Sequence, residues 1–152
     1  MELFRENLPT IMTIVGIAIS IVLSGIGSAR GAVMITKSAA ALISEQPEKF
    51  GQSLVLQMMS ASQGLYGFII GFLIFMNLGD GLTFLIALRC FSAGLIMGLA
   101  GYLTAIQQSI AATAGIQILA KKPEHSTKGV LYAAMIETYA IFAFVLSMLL
   151  VI

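Results

Sequence analysis

Charge is what this sequence has least of. Asp, Glu, Lys and Arg make up 10% of its 152 residues, and the formal net charge is +1. So little charge does not suit an ordinary soluble domain, and the near-neutral balance argues against nucleic acid as a partner. A single cysteine, Cys90, leaves no disulfide framework and no cysteine-based metal centre. The single histidine, His125, falls in a loop and reads as a solvated side chain. There is no tryptophan, which counts against a small multidrug/cation antiporter with an aromatic, Trp-bearing pocket around its acid. No glycine-rich phosphate loop occurs, so no nucleotide site and no catalytic site is expected in this chain.

What fills the space is apolar. Hydrophobic residues make up 59% of the chain, and four stretches stand out: 7–29, 50–79, 90–120 and 129–152. None contains Asp, Glu, Lys, Arg or His, except for Glu137 in the last. A bilayer span needs about 20 apolar residues, so the expected fold is an all-α membrane protein of four transmembrane helices in one domain, 1–152. The first span follows Glu2, Arg5 and Glu6 without a basic leader, which marks it as a retained helix and not a cleaved signal.

Two connections are alike, "SEQPEKFGQ" at 44–52 and "AKKPEHSTK" at 120–128, while the third, "NLGDGL" at 77–82, is a short turn. Lys49, Lys121, Lys122 and Lys128 gather on the two Pro-Glu loops. The positive-inside rule places those loops in the cytoplasm, with both termini and the Asp80 turn outside.

A shift of 76 residues overlays the two halves: Pro47-Glu48 on Pro123-Glu124, Gly25 on Gly101, Ala29 on Ala105, Phe68 on Phe144. Each half is a hairpin of two spans, about 8–79 and 82–152, so the copies run in the same orientation. The overlay sets Glu137 against Ala61. One hairpin carries an acid and the other does not.

Equal counts from a loop mean similar depth in a helix pair. Glu137 lies fourteen residues after Pro123 and Gln108 fifteen before it, while Ser62 and Gln63 lie fifteen and sixteen after Pro47. Met59, Ser62, Gln63 and Tyr66 fall at helical spacing and share a stripe. Taken alone, Ser62 and Gln63 serve equally well as hydrogen bonds between helices. Glu137 is different, because an acid at a helix centre costs about 2.5–3.5 kcal/mol to insert. Binding a proton or a cation removes that cost. Oxygen ligands with one carboxylate suit a hard monovalent cation.

Gly16, Ser20, Ser24 and Ser28 on the first span, and Gly94, Gly98, Gly101 and Ala105 on the third, recur as small-residue faces. They predict a close inner pair of helices, with the second and fourth spans outside it. Arg30 and Lys37 share one face of the first helix and are expected to point away from Glu137, since a fixed Arg30–Glu137 pair would compete with any cation.

The motifs "GIGSARG", "EQPEKFGQSLVLQ", "SQGLYGF", "AGIQILAKKPEHSTKG" and "MIETYAI" resemble the membrane-rotor proteolipids of bacterial V-type ATPases, their K or c subunits, in particular the sodium-translocating kind. The resemblance runs along essentially the whole chain. It implies two fused hairpins assembled as a homo-oligomeric ring in the plasma membrane, turned by an attached ATP-hydrolysing motor. It further implies a stator subunit with a basic residue, and a central stalk touching the loops at 44–52 and 120–128. Position by position, it makes Glu137 the ion-binding carboxylate. Ser62, Gln63 and Gln108 become side-chain ligands of Na+, Met59 a backbone-carbonyl ligand, and Tyr66 the phenol bonded to the glutamate. The same rotor carrying H+ is the alternative. Where the family's sodium pattern reads Leu-Pro-Gly-Thr-Gln, this chain has Met-Ser-Ala-Ser-Gln at 59–63. Ser62 keeps the hydroxyl, and the missing proline makes the Met59 carbonyl the least secure ligand.

Overall fold

The computed structural model describes residues 2–79 and 81–152, with side chains from Glu6 onward. Asp80, expected at the tip of the third connection, lies outside the described residues, as do the side chains of Glu2 and Arg5. All regular elements among the described residues are helical: α1 (Glu2–Glu45), α2 (Phe50–Met58), α3 (Ser62–Phe75), α4 (Phe84–Lys121) and α5 (Ser126–Val151). Three 3-10 turns interrupt them, at Pro47–Lys49, Met59–Ala61 and Pro123–His125. The segment α2–turn–α3 forms the second crossing, so four units are long and apolar enough to span a membrane, as the sequence predicts.

The helices overrun the uncharged windows. With 44 residues α1 begins before residue 7 and passes through Arg30 and Lys37, and with 38 residues α4 takes in Arg89. At about 1.5 Å per residue these helices reach roughly 66 and 57 Å, twice the hydrocarbon thickness of about 30 Å. A charged side chain ends a hydrophobic window, but it does not end the backbone hydrogen-bond ladder. The prolines do. Pro47 and Pro123 each open a 3-10 turn, where a missing N–H goes unmissed. The residues before them, Gln46 (φ −136°, ψ 71°) and Lys122 (φ −144°, ψ 80°), adopt nearly the same extended-side conformation. The third connection turns instead on Gly79 (φ 152°) and Gly81 (φ 96°), conformations that glycine adopts without strain. Thr83 then caps α4 by accepting a hydrogen bond from the Ile86 amide at 3.3 Å.

The most extensive contact joins α1 and α4. A Cβ on Gly94 would stand 2.1 Å from the Gly16 carbonyl oxygen, and one on Gly27 would stand 2.6 Å from Tyr102 Cα. The expected small-residue faces therefore bring these backbones into direct contact. Serines tie α1 to both neighbours: Ser24 Oγ donates to Met97 O of α4 at 3.2 Å, and on the α3 side Ser20 Oγ donates to Gly67 O at 2.8 Å. Ser28 Oγ accepts from the Gly64 amide at 2.8 Å. At one end Ile35, Leu42, Leu56, Ile116 and Leu119 form an apolar cluster, and further along Ile70, Ile74, Cys90, Ala93 and Met97 form another. The polar layer lies between them.

Candidate ion-binding site

Four helical segments meet in that layer. Glu137 sits near the middle of α5, and both of its oxygens are engaged. Oε1 accepts from the Tyr66 hydroxyl of α3 at 3.0 Å, and Oε2 accepts from Gln108 Nε2 of α4 at 3.4 Å. Gln63 Nε2 donates in turn to Gln108 Oε1. Ser62 Oγ lies 3.4 Å from Gln63 Oε1 and 3.2 Å from the Met59 carbonyl, so its single proton serves one of the two. All six residues singled out in the sequence thus fall into one continuous polar chain. Gln63 and Gln108 are fully buried, while Glu137, Ser62 and Tyr66 are only partly covered.

The local backbone follows from the residues. Between Met59 and Ala61 the helix tightens into a 3-10 turn although no proline is present. Ser62 Oγ approaches the carbonyl three residues back, a competition that bends helices. The Met59 carbonyl, the least secure of the expected ligands, accordingly lies 3.2 Å from the Ser62 hydroxyl. The Tyr66 ring is steadied by Phe144, with centroids 5.1 Å apart and planes tilted by 34°.

Electrostatically the layer is one-sided. The groups bonded to the carboxylate, a phenol and a primary amide, are neutral donors, so the negative charge is solvated by dipoles and not cancelled. Arg30 does not cancel it either: Nη1 donates to the Tyr102 hydroxyl at 2.7 Å, and the guanidinium lies 5.9 Å from that ring's centroid. The layer offers carboxylate, amide, hydroxyl and carbonyl oxygens around one uncompensated charge, a donor set for a hard monovalent cation. The bond between Gln63 and Gln108 uses an oxygen that such an ion would claim, so binding one there would require the amides to turn.

Two participants are not apparent from residue type and spacing. Phe144 reads as a lipid-facing side chain; its signal is its pairing with Phe68 in the repeat. Ser60 is fully buried, and its hydroxyl has no hydrogen-bond partner. It stands where the sodium pattern has proline, and nothing in the structure explains the hydroxyl there.

Comparison with known proteins gives a consistent picture. The sequence pattern of the ATP synthase C-subunit family matches twice, over residues 15–74 and 91–150. The two matches are offset by 76 residues, the same shift as the internal repeat. The chain is 50% identical over 149 residues to the V-type sodium ATPase subunit K of Enterococcus hirae, covering 98% of this chain and 96% of that one. It is 35% identical over 144 residues to the A-type ATP synthase subunit K of Methanocaldococcus jannaschii, covering 95% of this chain and 63% of the other.

Proposed function

This chain belongs to the ATP synthase C-subunit family, and we propose that within that role, a non-catalytic membrane rotor subunit of an ATP-driven ion translocase, it carries Na+ on Glu137. The observation that carries this reading is the polar layer. A single mid-helix carboxylate is held by Tyr66 and Gln108, with further oxygens from Gln63, Ser62 and Met59 within the same chain of contacts. The sodium ATPase named for the Enterococcus relative supports the choice of ion. A proton needs one carboxyl oxygen and one partner, which would leave the two buried glutamines and the serine without a task.

The mechanism rests on desolvation. An anionic Glu137 facing lipid costs several kcal/mol, whereas a bound Na+ cancels the charge and lets the loaded subunit pass through the bilayer. Tyr66 holds the carboxylate toward the layer while it is loaded, and the Tyr66–Glu137 bond must open for exchange. Release takes place opposite a stator subunit whose basic residue competes for the carboxylate. Copies of the chain form a ring in the plasma membrane of a bacterium, with the termini outside. The central stalk bears on the loops at 44–52 and 120–128. ATP is hydrolysed elsewhere in the complex.

The test is modification of Glu137 by a carboxyl-reactive carbodiimide at fixed pH and ionic strength, with choline replacing Na+ in the control. Na+ is expected to slow the reaction in a saturable manner. A rate that follows pH alone, indifferent to Na+, would sink the sodium reading and install the proton in its place.

A further inference from the structure

The second and fourth crossings are repeat images, yet only the second is broken. α5 runs from Ser126 to Val151 without interruption, while its image is cut into α2 and α3 by the turn at Met59–Ala61. The bond from Ser62 to the Met59 carbonyl needs a second condition to make that cut. In hairpin 2 the image of Ser62 is Thr138, whose Oγ1 donates to the Met135 carbonyl at 2.7 Å, closer than the 3.2 Å of Ser62. α5 nevertheless stays whole. Something outside the crossing must differ.

The difference lies on the amide side of the cut. α3 starts at Ser62, so the Gly64 N–H belongs to its first turn, where a helix has no carbonyl of its own to offer. A side-chain oxygen on the N-cap residue commonly accepts from the second or third amide of a helix. The N-cap here is Ala61, which makes no such bond. Ser28 of α1 stands in for it: Oγ accepts from the Gly64 amide at 2.8 Å. Glycine permits the approach, since a Cβ at 64 would lie 3.1 Å from that Oγ. In hairpin 2 the image of Ser28 is Thr104, which spends its hydroxyl on the Ala100 carbonyl of its own helix at 2.7 Å, and the image of Gly64 is Ala140. The hairpin whose first helix lends a cap has the broken crossing, and the other does not.

We propose that Ser28 is a positioning residue for the cation layer: by holding the Gly64 amide it keeps the second crossing interrupted, and so sets the aim of the Met59 carbonyl, Ser62 and Gln63. This rests on the cation site of the proposed function and adds what holds the α3 half of that site in place. Interrupting a membrane helix frees carbonyls for a cation. Ser28 acts through the main chain, since Gly64 directly follows Gln63. Without the cap, the Gly64 amide can return to the Ser60 carbonyl four residues back and close the α-helical ladder. Closing it rewinds three residues from 3-10 to α geometry, which turns Ser62 and Gln63 against α2 by roughly 60°. A rotation of that size carries a ligand away from Gln108 and Glu137.

The test follows the full chain, purified in detergent in its native assembly, through two measurements. One is the Na+ concentration that protects Glu137 from the carbodiimide at fixed pH and ionic strength. The other is a cryo-EM map of the second crossing. Ser28→Ala is expected to raise the protecting Na+ concentration roughly three- to tenfold and to show regular α-helix through 59–61. Ser28→Thr keeps the hydroxyl and is expected to restore both. Ser20→Ala is the packing control, because it removes another bond between α1 and α3, to the Gly67 carbonyl. It should lower the melting temperature as Ser28→Ala does, with protection at the wild-type value. Should Ser28→Ala fail to fold, Ser28→Cys takes its place, with a sulfur that accepts weakly. Wild-type protection in the Ser28 variant, an equal shift with Ser20→Ala, or a 3-10 turn that survives loss of the hydroxyl overturns the positioning role. A wild-type protein that Na+ does not protect sinks the sodium reading, and the map then decides for Ser28 by itself.

Discussion

Hairpin 1 and hairpin 2 share a Pro-Glu turn of the same backbone shape, yet they bring different chemistry to the same depth. Hairpin 2 supplies Glu137 and Gln108, where hairpin 1 has Ala61 and Ala32. Hairpin 1 supplies Ser62, Gln63 and Tyr66, where hairpin 2 has Thr138, Tyr139 and Phe142. Each repeat keeps the half of a site that faces the other and lacks the half that would face outward. The repeat offers two equivalent seams, and only one of them holds the carboxylate and the two amides. On the proposed reading, a ring of such chains would carry one ion for every four helices.

The sharpest way to break this comparison is to move the acid. Glu137→Gln is expected to abolish Na+ transport and Na+-sensitive carbodiimide labelling while leaving assembly unchanged. Adding Ala61→Glu should not restore either, because the second seam lacks both amides. Transport of Na+ by the double variant in reconstituted vesicles would show that the carboxylate alone makes the site, and the contrast between seams would lose its meaning.

A smaller effect is expected from removing one neutral ligand. Gln108→Ala takes away a donor to Glu137 and a partner of Gln63. Losing a hydrogen bond to a charged group costs about 1.5–3 kcal/mol, so the Na+ concentration that protects Glu137 should rise roughly tenfold to a hundredfold. Equal protection in variant and wild type would remove Gln108 from the site.

The least is expected from packing. Gly94→Ala makes hairpin 2 match hairpin 1, which has Ala18 there, but the new methyl runs into the Gly16 carbonyl. Overpacking of this kind costs about 1–3 kcal/mol, readable as a lower melting temperature in detergent. Gly51→Ala, with nothing within 4 Å, should instead gain up to about 1 kcal/mol from helix propensity. Equal shifts for the two would mean that the α1–α4 contact is looser than described.

The sequence made the polar layer legible because depth in a helical hairpin is a matter of counting from a turn. The Pro-Glu loops are sharp enough to count from, so Glu137, Gln108 and the 62–66 stripe could be brought to one level without coordinates. The connections likewise mark where α1 ends, at Glu45, and where α4 runs, from Phe84 to Lys121, whereas the uncharged windows understate both helices. Hydropathy stops at Arg30 and Arg89, where the hydrogen-bond ladder does not. The 3-10 turn at Met59–Ala61 was hidden for a different reason: it arises from a serine hydroxyl reaching a carbonyl, where proline is the signal usually sought. Nor could spacing show that Arg30 finds Tyr102, 72 residues away.

The glycine contact between α1 and α4 also has a mechanical side. Where Gly94 rests on Gly16, main chain bears on main chain with no side-chain cushion between them. Close-packed interiors yield little under load, so a push delivered to one hairpin arrives at the other without being absorbed. A subunit assembled around such a joint behaves less like a spring than like a cog tooth.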